Sequence, residues 1–590
     1  MQPQFVAGID LDAPSRDHFR DATRRLGFAI AMDQPRMILA VAPDTPVVAL
    51  ADEGLVIGTL FGHGIARPLE KLSPSGVEAA LLSGGRYLVQ AYWGSFVAML
   101  RQGEAVVLLR PPFGDLPCLM TRTAGGTIVG SHIDLLRVAG APAVSVDYCA
   151  VVRQLIAGDL RQRATCLDGI EALRGGDRLA IGAGTTERAT CWSPWTFVQS
   201  DRRVDDAAEA DRRLRDYAIA CTDLRTSHLG RPMLLLSGGL DSSVVAACLS
   251  ARGRDFACLN LMTANPIGDE RDYARMVAAR VDRPLVERLM EAGTAQLERL
   301  ASARLARPAA RSFEQLVYEI AGAAARELGC DGLVDGGGGD NIFGSVQSAS
   351  PAADALLDPG GGPHFWRLCG DIGELAEESH WRVAWRAYRR SRERERPFRW
   401  PTDLRYLHPD THALADEALR HPWLDQPEGA LPGRMAHVAM LVAAQAYVED
   451  GRHGAKQHAV SPLVSQPLIE HCLRIPSWNW FANGHNRAAA RRAFEAHLPR
   501  EVVWRRSKGT PDALLVGLVE KNRLWLRDHL AGGLLAGAGL IDMAALLSEL
   551  DDPRPARGTE CGRILQLADA ESWARGITAG PNGLEATVTP

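Results

Sequence analysis

No stretch of this 590-residue chain reaches ~18 consecutive apolar residues, so no membrane-spanning helix is expected. Residues Met1 to Asp10 hold no basic segment leading into an apolar core, which argues against a signal peptide. The eleven cysteines include no C-x-x-C pair. Structural zinc is therefore not expected, and reduced thiols in a cytoplasmic protein are the simple reading. A basic surplus is missing too. The formal net charge is −5 and the pI is near 6.4, which argues against a general nucleic-acid binder. Lysine is scarce, with four residues in all, and arginine is abundant. No internal repeat is visible.

Length alone predicts more than one domain, because single cores rarely exceed ~300 residues. Residues 1–190 carry short β-like runs broken by Gly, Pro and Asp, such as Val106-Val107-Leu108-Leu109, and predict a sandwich of sheets. From about 205 to 577, helical patterns rich in Ala, Arg and Leu alternate with short apolar strands. That pattern predicts a doubly wound α/β domain, almost wholly helical after 365. Residues 578–590 read as a frayed tail.

The most informative segment runs from Met233 to Ala247. Four apolar residues, Met233 to Leu236, predict a buried strand. Ser237-Gly238-Gly239-Leu240-Asp241-Ser242-Ser243 predicts a tight glycine turn opening an Ala- and Val-rich helix. Such a turn aims backbone N–H groups outward at a helix N-terminus and suits the phosphates of ATP. No lysine follows the glycines, so the segment is not a Walker A loop. It carries Asp241 instead, and an acid beside phosphates implies an intervening Mg²⁺.

This loop resembles the pyrophosphate loop of the ATP pyrophosphatases, which adenylate a carboxyl or carbonyl oxygen. The resemblance extends in both directions. Trp93-Gly94-Ser95-Phe96, then Phe113-Gly114-Asp115-Leu116-Pro117, then Gly130-Ser131-His132 look like the glutaminase domain of asparagine synthetases. The resemblance implies an α/β protein with an N-terminal αββα sandwich of the N-terminal-nucleophile type. A working glutaminase needs a cysteine directly after the initiator Met. Here that position is Gln2, and the first cysteine, Cys118, falls in a late strand, so a silent domain is expected.

In the second half, Gly268 to Ala274 is similar to the family's "D-E-x-x-Y-A". The strand Ala257 to Met262 is expected to pass under adenine, with the Leu261 backbone reading the base edge. Leu333-Val334-Asp335-Gly336-Gly337-Gly338-Gly339-Asp340-Asn341-Ile342-Phe343-Gly344 resembles "L-S-G-E-G-x-D-E-x-F-G-G". The resemblance implies that Asp340 joins Asp241 on Mg²⁺. It also puts Gly336 and Gly337, with Leu236, Ser237, Gly238, Gly239, Ser242 and Ser243, around ATP and pyrophosphate. Gly337 stands where asparagine synthetases carry Glu and β-lactam synthetases carry Tyr, which predicts an open acceptor pocket. Trp504-Arg505-Arg506-Ser507-Lys508-Gly509 looks like the family's "R-x-K-x-G", and the resemblance implies that Lys508 stabilises charge in the adenylation site. Glu449 is a candidate general base.

The combination of "D-G-G-G-G-D-N-x-F", Pro117-Cys118 and no N-terminal cysteine resembles the lasso-peptide cyclases. That resemblance implies an ATP- and Mg²⁺-dependent macrolactam synthetase, a ribosomal precursor peptide as substrate and a cysteine-protease-like leader peptidase as partner. Two alternatives stay open: a small-molecule ligase of the asparagine- or β-lactam-synthetase kind, and a non-catalytic peptide-binding scaffold. Residues 381–399 form a basic aromatic helix that could contact a partner protein or an acidic peptide segment; its simplest reading is a solvated helix face with Trp381, Trp385 and Tyr388 packed inward. His453 and His458 are spaced too loosely to argue a metal site.

Overall fold

The structure is a computed structural model that describes residues 3–64, 67–182, 184–263, 269–291, 297, 305–309, 311–415, 419–450, 459–506, 512–554 and 557–579. Two six-stranded sheets lie face to face in the first 190 residues. Phe5–Ile9 runs inside one of them, antiparallel to both Met37–Val41 and Gly126–Gly130. Its five residues are all buried because both faces of the strand are covered. Phe5, Ala7 and Ile9 point toward the second sheet, where they meet Ile57, Val97, Met99 and Leu108. Val6 points the other way, into a cluster with Phe19 and Leu136 from the helices Ala13–Arg25 and Ile133–Val138. The second sheet turns Phe96, Ala98 and Leu100 outward, in one cluster with Leu88 and Val89 of the helix Arg86–Ala91. The period-2 alternation of each strand thus builds a helix–sheet–sheet–helix stack. Cys118 lies in the core between the sheets, directly before the strand Leu119–Thr123, and burial pushes its thiol up to about 12.

Five parallel strands form the second core, in the spatial order Leu285–Leu289, Ala257–Met262, Pro232–Leu235, Gly332–Val334, Ala459–Val460. One face packs Met233, Leu259 and Leu333 on the helix Ser312–Glu327. The other face packs against the helices Leu240–Ala251 and Arg271–Val281. The strand order reverses between Pro232–Leu235 and Gly332–Val334. A crevice opens beyond the carboxyl ends of strands at such a reversal, where doubly wound sheets bind ligands.

The helix Pro432–Asp450 joins the two halves. Gln445 donates from Nε2 to the carbonyls of Pro112 (2.8 Å) and Gly175 (3.1 Å), and Glu449 pairs with Arg110 at 2.9 Å. Trp192 packs edge to face with Phe113 and with Trp423 along the same seam, and the Phe113 and Trp423 rings tilt against each other. The last helix, Gly558–Ala579, runs past the expected start of the tail at 578; residues 580–590 lie outside the described residues. No described helix is long and apolar enough to cross a membrane, and all eleven cysteines are free.

One packing expectation is reversed. In the helix His380–Arg392 it is Val383 and Ala387 that are buried, while Trp381, Trp385 and Tyr388 are exposed. The narrow apolar side takes the small residues, because the helices Ser350–Leu357 and Phe365–Ala376 approach it closely.

Candidate active site

The loop Ser237–Gly239 leaves the strand Pro232–Leu235 and enters the helix Leu240–Ala251. Gly238 takes a φ of +77°, and a Cβ there would stand 2.8 Å from the Ala274 nitrogen and the Tyr273 Cβ. Only glycine fits on both counts. Gly239 is the N-cap and offers no side chain to the first-turn N–H groups. Those groups have no intrahelical acceptor and remain donors for an anion. Ser237 and Ser242 bring their hydroxyls to 3.1 Å across the turn, and the Ser243 hydroxyl donates to the Gly239 carbonyl at 2.7 Å.

The glycine run Gly336–Gly339 leaves the neighbouring strand and presses on this turn. A Cβ on Gly336 would sit 2.5 Å from the Ser242 nitrogen, and one on Gly339 would sit 2.5 Å from the Asp241 carboxyl carbon. The close approach brings Asp241 and Asp340 to one point. A single Arg487 nitrogen lies 3.1 Å from each Asp241 oxygen and 2.5 Å from Asp340. Arg487 itself holds a left-handed φ of +55° at the start of the helix Ala488–Phe494, a conformation costly for a side-chain-bearing residue. Its Nε is buried with no partner among the described residues. Arg491 lies one helical turn on; burial first, then the charge of Arg487, pushes it down to about 10.

The remaining sites sort clearly. Leu236 donates its N–H to Leu259 at 2.8 Å, and buried Asn260 ties the next strand to the Leu236 carbonyl. Leu261 is half-buried at the carboxyl end of Ala257–Met262, on the crevice side of the sheet. Lys508 and Gly268 lie outside the described residues, as do His453 and His458. The residues preceding Lys508 are anchored. Arg505 stacks over Tyr273 at 4.1 Å and pairs with Glu270 at 2.5 Å, and Arg506 pairs with Glu374.

Two expectations need correction. The space beside Gly337 is not open: a Cβ there would stand 2.3 Å from the Tyr447 Cε1 and hydroxyl oxygen. The Tyr447 hydroxyl reaches Asp335 at 3.4 Å, and Asp335 also accepts from the Ser461 hydroxyl and the Gly337 N–H. Glu449 is not at the crevice either. Two residues along an α-helix is a rotation of ~200°, so Tyr447 faces the glycine run while Glu449 faces the sandwich and Arg110.

Sequence reasoning missed Arg487, Arg505 and Tyr447 as site residues. Arg487 and Arg491 share a helix face at i, i+4 spacing inside the matched segment, a signal that was legible. For Tyr447 there was none, since it comes to Gly337 from 110 residues away.

The residues suit ATP and Mg²⁺. Two carboxylates from separate loops meet at one cation, donors of a helix N-terminus face the same crevice, and arginines stand behind them. Among the described residues no cluster of three or more His, Cys, Asp or Glu forms a metal cage. Mg²⁺ held by one or two carboxylates together with substrate phosphates needs none.

Comparison with known proteins agrees with this geometry. No curated protein matches. Among solved structures, the chain is similar to the glutamine phosphoribosylpyrophosphate amidotransferase from B. subtilis complexed with ADP and GMP, at 11% identity and a TM-score of 0.20. The match covers 43% of this chain and 65% of that one, less than two thirds of its length. A structure of the allosteric regulatory enzyme of purine biosynthesis matches at 9% identity and a TM-score of 0.22, over 49% of this chain and 80% of that one. At such scores neither likeness carries weight. The family model for asparagine synthase, by contrast, matches residues 215–575, which hold both glycine loops, both carboxylates and Arg487. The chain belongs to the asparagine synthase family.

Proposed function

We propose that this protein is an ATP-dependent ligase forming a C–N bond, a lasso-peptide macrolactam synthetase that takes no nitrogen from glutamine. The observation carrying the reading is the pairing of a crevice that suits ATP with a sandwich that carries Gln2 where a working glutaminase carries its cysteine. No cysteine precedes Cys118, and the Cys118 thiol is buried between two sheets and held protonated. In this reading the amine comes with the substrate. A peptide α-amine has a pKa of ~7.7–8.0, so a useful fraction is neutral near pH ~7.5 without a dedicated base.

In this reading an Asp or Glu side-chain oxygen of the precursor core bonds to the α-phosphorus of ATP. The bond to the β-phosphate bridging oxygen breaks, and its electron pair leaves on pyrophosphate. The peptide amine then bonds to the acyl carbon, the bond to AMP breaks, and the amine loses one proton. The first-turn N–H groups of Leu240–Ala251 hold the phosphates. Asp241 and Asp340 would hold Mg²⁺, which when bound neutralises charge on the triphosphate. Arg487 leaves the carboxylate pair and turns to the phosphates. Lys508 is assigned the charge that develops at the α-phosphate. A cysteine-protease-like leader peptidase would act beforehand, in the cytoplasm, to free the core amine.

The test is mass spectrometry of a precursor core peptide incubated with protein, ATP and Mg²⁺. Loss of one water from the peptide should run in parallel with AMP and pyrophosphate. Acetylating the peptide N-terminus should stop ring closure. ADP as product, cyclisation of the acetylated peptide, or glutamate release from glutamine would each overturn the reading.

A second reading has one specific observation in its favour. β-Lactam synthetases, in the resemblance above, carry Tyr at the position of Gly337, and here the Tyr447 ring fills that space from another helix. A small-molecule carboxylate would then be the substrate, and pyrophosphate release with free amino acids in place of peptide distinguishes the two.

A further inference from the structure

The described residues expose four large aromatic side chains, and all four belong to one surface. Trp366, Trp381, Trp385 and Tyr388 are 57%, 65%, 57% and 58% exposed. Trp381, Trp385 and Tyr388 follow i, i+4, i+7 spacing and form one stripe along the helix His380–Arg392. Trp366, from the helix Phe365–Ala376, joins its end, with ring centroids 5.2 Å from Trp381. The stripe is flanked by cations. Residues 380–399 hold eight arginines against two glutamates, in a chain whose net charge is −5. Arg389 lies 5.3 Å over the Trp385 ring. Arg382 and Arg392 form no ion pair among the described residues. Isolated exposed apolar residues need no explanation, but a contiguous aromatic patch on a water-facing helix marks an interaction site.

We propose that this face docks an acidic stretch of the peptide substrate, with apolar side chains on the rings and carboxylates on Arg382 and Arg392. The proposal rests on the peptide-ligase reading and assigns where the substrate is held away from the reacting carboxylate. Position supports the occupant. Glu374, on the same helix as Trp366, pairs with Arg506, directly before the segment bearing Lys508. The helix bearing Trp366 is thereby tied to the residue after Arg505, which packs on Tyr273 beside the glycine turn. Charge complementarity supports it too. Glu374, Glu378 and Glu393 intersperse the arginines, pairing with Arg506, Arg386 and Arg396. A lipid surface or a phosphate backbone presents uninterrupted negative charge and would meet these carboxylates. A peptide mixing acids with apolar residues matches the mixed face.

The test uses the full chain and a fluorescein-labelled twelve-residue peptide alternating glutamate with leucine and phenylalanine, read by anisotropy without ATP. Wild type should bind it, and Trp381→Ala/Trp385→Ala should bind about 10-fold more weakly, the scale of losing aromatic anchors. Arg382→Glu/Arg392→Glu reads the same face should the tryptophan pair disturb the helix. The all-glutamine peptide should bind about as weakly as the peptide does to the variants. Equal binding by wild type and both variants overturns the proposal. So does co-sedimentation with phosphatidylglycerol vesicles, or displacement of the peptide by oligo-dT. AMP release with a short acceptor peptide that cannot reach the stripe reads the chemistry alone: if it fails while docking holds, the ligase reading falls and the surface stands.

Discussion

Arg487 stands between Asp241 and Asp340, the pair proposed to hold Mg²⁺, and one of its nitrogens pairs with both carboxylates. Removing either carboxylate leaves this arrangement half-paired without opening the core, so the effect should fall on chemistry. Asp241→Asn and Asp340→Asn should each lower pyrophosphate release by at least about 100-fold, the scale of losing a charge-stabilising group in a reacting site. Thermal unfolding should barely move; wild-type turnover in either variant removes both residues from the mechanism. The glycine at 337 gives a second test. A methyl group there must displace the Tyr447 ring, at a cost of about 1–3 kcal/mol for an overpacked contact. Gly337→Ala should therefore be destabilised, and Gly337→Ala/Tyr447→Ala should recover most of the loss. Additive losses in the denaturation midpoints would show that the two positions do not touch.

Among the elements, the helix Ser312–Glu327 shows how this fold caps its parts from a distance. Its own N-cap residue, Arg311, contributes no side-chain bond. The Ser312 N–H instead donates to Asp569 of the last helix at 3.1 Å, and Glu571 two residues on accepts from Leu534 and Leu535. Burial drives the Asp569 carboxyl up to about 7, well above its ordinary range. The sign follows from linkage. Below pH ~4 the group is protonated in both the folded and the unfolded chain. Between ~4 and 7 only the unfolded chain has released the proton, so stability from this group falls as pH rises and levels off above about 7. Asp569→Asn removes the titration and keeps an acceptor. The stability of wild type relative to Asp569→Asn should decline by up to ~1.4 kcal/mol per pH unit from pH 5 to about 7. Urea midpoints at pH 5, 6, 7 and 8 check this, and parallel profiles would refute it.

Across the whole molecule, the sandwich and the parallel-sheet half meet through the helix Pro432–Asp450. Arg110 also donates to the Leu173 and Gly114 carbonyls, at 2.7 and 2.9 Å, and its pair with Glu449 is nearly closed to water. Breaking one side of a buried ion pair costs about 3–5 kcal/mol, because the other charge stays buried and uncompensated. Glu449→Ala should lower the unfolding temperature markedly, and Arg110→Met/Glu449→Met should restore much of it. Below the transition, pyrophosphate release by Glu449→Gln should stay close to wild type. Lost turnover with an unchanged melting temperature and a missing acid limb in the pH–rate profile would return Glu449 to the role of general base.

The sequence alone determined the features that depend on neighbours in the chain. Four apolar residues followed by Ser237-Gly238-Gly239 make a strand, a turn and a helix start whatever surrounds them, because the backbone conformations are local. The same holds for the alternating strands of the sandwich and for the glycine run before Asp340. Tertiary structure decided what depends on approach. Glycine at 337 reads as empty space in a sequence, but Tyr447 from a remote helix fills it. Glu449 and Tyr447 sit two residues apart, and only the direction of their helix sends one to the seam and the other to the crevice. Trp381, Trp385 and Tyr388 read as a buried face until close helix packing selects Val383 and Ala387 instead. Hydrophobicity predicts that a residue gains by burial; which residues are buried depends on how near the neighbouring elements come.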